Sequence, residues 1–133
     1  MRTKLWVVAL ALGVVMAAGT LSAHHAFSAI FDEKQPVNLR GIVTKVELIN
    51  PHSWIWLDVK GPDGKVTNWG IEGGSPNSII RHGITKNTLP VGTEIVVYAF
   101  RAKDGSNQAV GANLTLADGR KLFLGSTTPG QNQ

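Results

Sequence analysis

Four histidines (His24, His25, His52 and His82) and three indoles (Trp54, Trp56 and Trp69) are the side chains here with most scope for chemistry. Imidazole nitrogens ligate copper, zinc, nickel and iron, and a nitrogen-rich tetragonal set favours Cu(II). His24 and His25 follow Gly19-Thr20-Leu21-Ser22-Ala23, small residues of the kind at which exported chains are cut. Cleavage after Ala23 would make His24 the first residue. Its free amine and its ring would then chelate one ion, and another imidazole would complete a three-nitrogen set. Cleavage one residue earlier leaves Ala23-His24-His25, whose amine, two backbone amides and third-position ring can wrap Cu(II) or Ni(II) in a square plane. His52 is the candidate for the further imidazole. The expected metal set is therefore His24, His25 and His52, with copper the expected ion. An α-amino ligand titrates near ~7.7–8, so such a site weakens as pH falls. Against this stands a structural reading, in which the pair is a polar chain start and His52 only hydrogen-bonds its turn. His82 falls in the last turn of an expected helix, where a cation suits the negative dipole end.

The indoles belong to the stretch that organises the chain, Asn50-Pro51-His52-Ser53-Trp54-Ile55-Trp56-Leu57-Asp58-Val59. Its front is a turn, and its back alternates two aromatics with Ile55, Leu57 and Val59, the period of a strand. Gly61-Pro62-Asp63-Gly64 is a strong turn signal, and Lys65 to Glu72 reads as the next strand. With residues 61–64 as the loop, Lys60 faces Lys65, Trp56 lies opposite Trp69, and Trp54 lies opposite Ile71. All three indoles then share one face, and Ile55, Leu57 and Val59 line the other with Val66 and Gly70. A slip of one residue would undo this. Trp54, Trp56 and Trp69 could offer stacking area to a sugar, a peptide or a small aromatic ligand. The expected arrangement is instead that Phe27, Ile30 and Phe31 lie across them and make them core, carrying His24 and His25 toward His52.

The rest of the chain reads as strands. Asp32-Glu33-Lys34-Gln35-Pro36 is a turn, and Leu39 to Asn50 a strand with Ile42, Thr44, Val46 and Leu48 on one side and Val43, Lys45, Glu47 and Ile49 on the other. That strand covers roughly 35–40 Å. Residues 24–38 extend to roughly 45–50 Å, enough to fold back along it to the 50–53 turn. Ser75 suits a helix N-cap, Pro76 the first helical position and Gly83 the stop, with Ile79 and Ile80 facing the core. Glu94 to Phe100, Ala109 to Leu116 and Lys121 to Leu124 are strands joined by hairpin loops at 103–107 and 117–120. The expected fold is mainly β, a small five- to six-stranded OB-like Greek-key barrel with one short helix between strands three and four. A small open sandwich is the alternative.

Composition bounds the function. The chain has 133 residues, no cysteine, 43% hydrophobic and 17% charged residues, enough for one core. Arg2 and Lys4, the apolar run Leu5 to Ala18 and the small residues after it have the three-part plan of a signal peptide over residues 1–23. As a helix the apolar run spans only about 21 Å, short of a ~30 Å hydrocarbon core, so cleavage is expected and stable membrane insertion is not. The leader carries two of the thirteen basic residues, so the remainder holds eleven against nine acidic, a formal +2. With no run of Lys and Arg, nucleic acid is not an expected partner. Residues 24–125 form the expected single domain, and residues 126–133 a disordered tail.

His24-His25-Ala26-Phe27, Asn50-Pro51-His52-Ser53-Trp54-Ile55, Glu72-Gly73-Gly74-Ser75-Pro76-Asn77 and Asp118-Gly119-Arg120-Lys121-Leu122-Phe123 together resemble an exported bacterial family built on a domain of unknown function. The resemblance implies a periplasmic protein and supplies no activity and no catalytic residue. Ser28, Ser53 and Ser75 lack a nucleophile-elbow context. Glu72 and Asp58 are the carboxylates of interest, since both sit in apolar strands. Gly73-Gly74-Ser75-Pro76 reads as helix capping rather than an anion site. The expectation is a periplasmic or secreted binding protein, not an enzyme, taking a metal ion, a small organic ligand or a protein partner.

Overall fold

The computed structural model describes residues 29–125. The chain divides into two units, Met1–Ile30 and Phe31–Gln133, and the elements given below belong to the second. The expected signal peptide, His24, His25, Phe27 and the tail over residues 126–133 lie outside the described residues.

The second unit is mainly β: β1 (Phe31–Glu47), β2 (Trp54–Lys60), β3 (Val66–Glu72), helix α1 (Pro76–Arg81), β4 (Glu94–Ala102), β5 (Gln108–Leu116) and β6 (Lys121–Phe123). One sheet holds all six strands in the order β3-β2-β1-β4-β5-β6, with a further pairing of β3 to β5. Every pairing is antiparallel except that one, in which Gly70, Ile71 and Glu72 run parallel to Gln108, Ala109 and Val110. The pairings of the first five strands therefore close into a ring, with β6 attached to β5 outside it. Leu39, Val43, Val46, Ile55, Leu57, Trp69, Ile71, Ile95, Val97 and Leu114 form its core, which Ile79 of α1 and Leu124 also join.

The helix follows its sequence signals. Ser75 is the N-cap and accepts a hydrogen bond from the Ser78 N–H, Pro76 opens the helix, and Gly83 follows with a φ of 87°. Ile79 is fully buried, whereas Ile80 is 43% exposed. Consecutive helical residues point about 100° apart, so only one of the two can face the core.

β1 departs from expectation at both ends. It starts eight residues before Leu39 and stops at Glu47. The turn chemistry expected at 32–36 is present, since Asp32 accepts from the Lys34 N–H at 2.9 Å and the Gln35 amide at 3.0 Å. It makes an irregularity inside the strand, between Phe31 and Pro36, rather than a break. A second irregularity lies between Val43 and Lys45. The extra residue reverses the alternation, so Leu39, Gly41 and Val43 point inward and then Val46 does. Ile42, expected on the same side as Val46, is 40% exposed.

The β2–β3 hairpin corrects the indole arrangement. Lys60 pairs with Val66, Leu57 with Trp69, Trp56 with Gly70 and Trp54 with Glu72. The loop has five residues, closed by the Gly61 N–H on the Lys65 carbonyl at 2.8 Å and the Gly64 N–H on the Gly61 carbonyl at 3.0 Å. Gly64 there has a φ of 80°, which an L side chain rarely adopts. This one-residue difference sends Trp69 into the core with Leu57, away from Trp54 and Trp56. Phe31 does not cover the indoles either. It pairs with Ala102 of β4 and is buried, while Trp54 and Trp56 stay partly exposed.

Beyond Trp54, the backbone ladder continues into the turn. The Ser53 N–H donates to the Gly74 carbonyl at 2.9 Å, and the Gly73 N–H to the Ser53 carbonyl at 2.8 Å. On its far side the Gly74 N–H donates to the Leu124 carbonyl at 2.7 Å. A β-carbon at Gly74 would stand 2.3 Å from the Gly125 carbonyl oxygen, and backbone cannot swing aside as a flexible side chain can. Gly74→Ala is expected to lower stability by about 1–3 kcal/mol, read as a drop in the urea midpoint with unchanged slope. An unchanged midpoint would mean that the 53–74–124 seam is looser than this.

Candidate functional site

Side chains alternate across a strand, so His52, Trp54, Trp56 and Asp58 lie on the outer face with Asn68, Gly70 and Glu72 of β3. The bulge in β1 brings Lys45 and Glu47 to the same face, where an unbroken alternation from Val43 would have turned them inward. Glu47 pairs with Trp54 in the ladder, and Lys45 with Trp56.

Trp56 is held at both ends. Its indole N–H donates to Glu47 Oε2 on β1 at 2.7 Å. Its benzenoid edge fills the space over Gly70 on β3, where a β-carbon would stand 3.0 to 3.4 Å from Cζ3, Cη2 and Cε3. A ring rooted on β2 that touches β1 with one end and β3 with the other lies across the three strands, with one face outward. Trp54 follows it at 5.9 Å between centroids and 22° between planes. The two indoles thus form adjoining, nearly parallel tiles along β2. Lys45 Nζ approaches Glu47 Oε1 at 2.6 Å. That ammonium, and after it the Trp56 N–H, hold the Glu47 carboxyl below its usual range.

At one end of the tiles stands an imidazole–carboxylate pair. His52 Nδ1 meets Glu72 Oε1; the His52 side chain is 54% exposed and that of Glu72 only 15%. An ionised Glu72 accepts from Nδ1–H, which fixes the ring and leaves Nε2 as its open nitrogen. Burial pushes the Glu72 carboxyl above its usual pKa, and the His52 charge and hydrogen bond pull it down less strongly. At the other end Asn68 donates to Asp58 Oδ1 at 2.8 Å and to Thr44 Oγ1 at 3.3 Å.

The sequence-predicted site residues divide accordingly. His52, Trp54 and Trp56 come together on one face. Trp69 does not join them; it is buried, with the Arg101 guanidinium 5.3 Å from its ring centroid. His24 and His25 lie outside the described residues, and among the described residues no group of three His, Cys, Asp or Glu is placed to hold a metal ion. His82 caps its helix, donating from Nδ1 to the Ser78 carbonyl at 2.8 Å with its ring edge-on to Phe123. Glu47, Asn68 and Gly70 escaped the sequence reading. Glu47 was hidden by the bulge, and the other two by the register. A shallow cavity of about 250 Å³ between Arg40, Glu94 and Leu116 contains none of these residues.

Because Glu72 binds its proton more tightly in the folded chain than in the unfolded one, its contribution to stability is fully present below the ordinary glutamate range. It is lost as pH rises through the elevated native value. The urea midpoint of the wild type relative to Glu72→Gln should therefore fall as pH rises from about 4 through the weakly acidic range. A difference that is flat or grows with pH would mean that His52 outweighs burial.

No curated protein and no solved structure matches the chain. A family model does, over residues 11–112, a span that takes in the His52–Glu72 pair and both outer indoles. The chain belongs to DUF6152, a family of unknown function.

Proposed function

We propose that this is an exported binding protein, not an enzyme, and that its ligand lies on the outer face of β1–β3 against Trp54 and Trp56. The ring of pairings, with a helix between β3 and β4, supports an OB-like barrel as its scaffold. The leading sequence supports release into the periplasm or outside the cell. One observation carries the binding reading: Trp56 is tied to Glu47 and seated over Gly70, so its face is presented rather than packed. A preset aromatic surface loses little freedom when a ligand stacks on it. The carboxylates on this face disfavour a phosphate-rich partner, in keeping with a chain that lacks a basic run.

A second reading is favoured by the His52–Glu72 pair. Metal-bound histidines commonly give their other ring nitrogen to a carboxylate, which fixes the tautomer and raises basicity. Here Glu72 takes Nδ1 and leaves Nε2 for an ion, copper in the first instance, with His24 and His25 as the further ligands that the sequence offers.

Two measurements on the exported protein separate the readings, after its intact mass has fixed the first residue. In a nuclear magnetic resonance screen of neutral organic fragments, binders should move the indole N–H signals of Trp54 and Trp56 and leave that of Trp69 in place. Fragments that bind elsewhere, or none at all, would remove the platform reading. In a Cu(II) titration followed by electron paramagnetic resonance, a stoichiometric signal altered by His52→Ala supports the metal reading. A signal indifferent to that substitution leaves at most a chelate at the chain start.

A further inference from the structure

Resting on the platform reading, we infer that the ligand is a saccharide chain of equatorially linked pyranoses, two successive rings of which stack on Trp56 and Trp54. A pyranose with equatorial substituents has an apolar C–H face, and its hydroxyls lie around the rim, close to the ring plane. The outer face of β2 has the complementary form. Its two indoles are nearly parallel and adjoining, and Trp56 lies across the strands rather than standing up from them. The polar groups are at the ends of the tiles, with His52 and Glu72 beyond Trp54, and Asp58 and Asn68 beyond Trp56. These are carboxylate, amide and imidazole groups, able to accept from and donate to hydroxyls in the plane of a stacked ring.

Other flat ligands fit less well. A nucleotide would bring phosphate against Asp58 and Glu72, and the Lys45 ammonium on this face is already engaged by Glu47. A wholly apolar aromatic would leave the rim groups facing its edge without partners. From His52 in the turn to Asp58 on β2 the stripe covers six residue steps, up to roughly 20 Å, so it favours a linear chain over a single ring. No covalent step is involved, and the face holds and orients the saccharide without cleaving it.

The test is calorimetry and indole fluorescence on the exported protein with glucose, cellobiose, cellotetraose and chitotetraose, and with caffeine as a flat neutral ligand without hydroxyls. Affinity should rise with chain length, glucose alone should give no saturable signal, and one of the tetrasaccharides should bind. Trp54→Ala and Trp56→Ala should each weaken it by roughly tenfold or more. Gly70→Ala keeps both indoles but places a β-carbon under Trp56, and should weaken the tetrasaccharide while thermal unfolding shows the chain still folded. Failure of every saccharide, with caffeine binding lost on Trp54→Ala, overturns the saccharide assignment and leaves the platform. Failure of all five ligands, or binding indifferent to both tryptophan substitutions, overturns the platform as well.

Discussion

The pairing of Lys60 with Val66 is the constraint on which the outer face depends. Side chains alternate along a strand, so this register fixes which half of β3 meets the core and which meets solvent. In it Leu57 and Trp69 meet inside, as do Ile55 and Ile71, and Gly70 and Glu72 are left outside under the aromatics. A slip of one residue would turn Trp69 and Ile71 outward and give the core Gly70 instead. Each large apolar side chain so exposed costs about 1.5–3 kcal/mol. The backbone hydrogen bonds of the hairpin loop contribute only about 1 kcal/mol each. Core burial therefore selects the register, and the loop accommodates it by taking Lys65 as a fifth residue.

That order of magnitudes explains what the sequence disclosed. The strands, the capped helix and the turns were legible because each has a local cause: a period of two, a serine before a proline, a glycine at a positive φ. The mainly β character followed from them. The face assignments of β1 and β3 were not legible, because each depends on one unpaired residue. In β1 it is the residue inserted near Thr44, and in the hairpin it is Lys65. Neither bears a sequence mark distinguishing it from its neighbours, and both reverse every side chain beyond them. His52, Trp54 and Trp56 share one face because they alternate along one stretch, where no such error accumulates. Trp69 was misplaced because it lies across the loop.

The electrostatics of the outer face follow from the same geometry. Glu47 and Glu72 flank Trp54, and their environments differ. Lys45 and the Trp56 N–H compensate Glu47, whereas Glu72 is largely buried and is paired with a half-exposed imidazole. One carboxylate is thus settled as an anion, and the other is held at a disadvantage in that form. An arrangement shaped only by stability would replace Glu72 with a neutral or apolar side chain, since burial of an undercompensated charge is unfavourable. Under the proposed function, its position beside an open imidazole nitrogen and at the end of an aromatic stripe would give the disadvantage a use, because a ligand could supply what His52 leaves unmet.

Two glycines of the same region make the distinction between scaffold and site sharper. Gly74 is fixed by its backbone neighbours: no side chain fits between it and Gly125, whatever the protein binds. Gly70 is different. It faces outward on a strand, where a glycine is worse than alanine by roughly 0.5–1 kcal/mol and a β-branched residue would stabilise the sheet further. The core makes no demand at that position. What its small size permits is Trp56 lying down across β3 instead of standing away from it, with its other end fixed by Glu47. A stability cost taken where the core does not require it, and tied to holding one aromatic face toward solvent, is the physical ground on which that face is proposed as the binding surface.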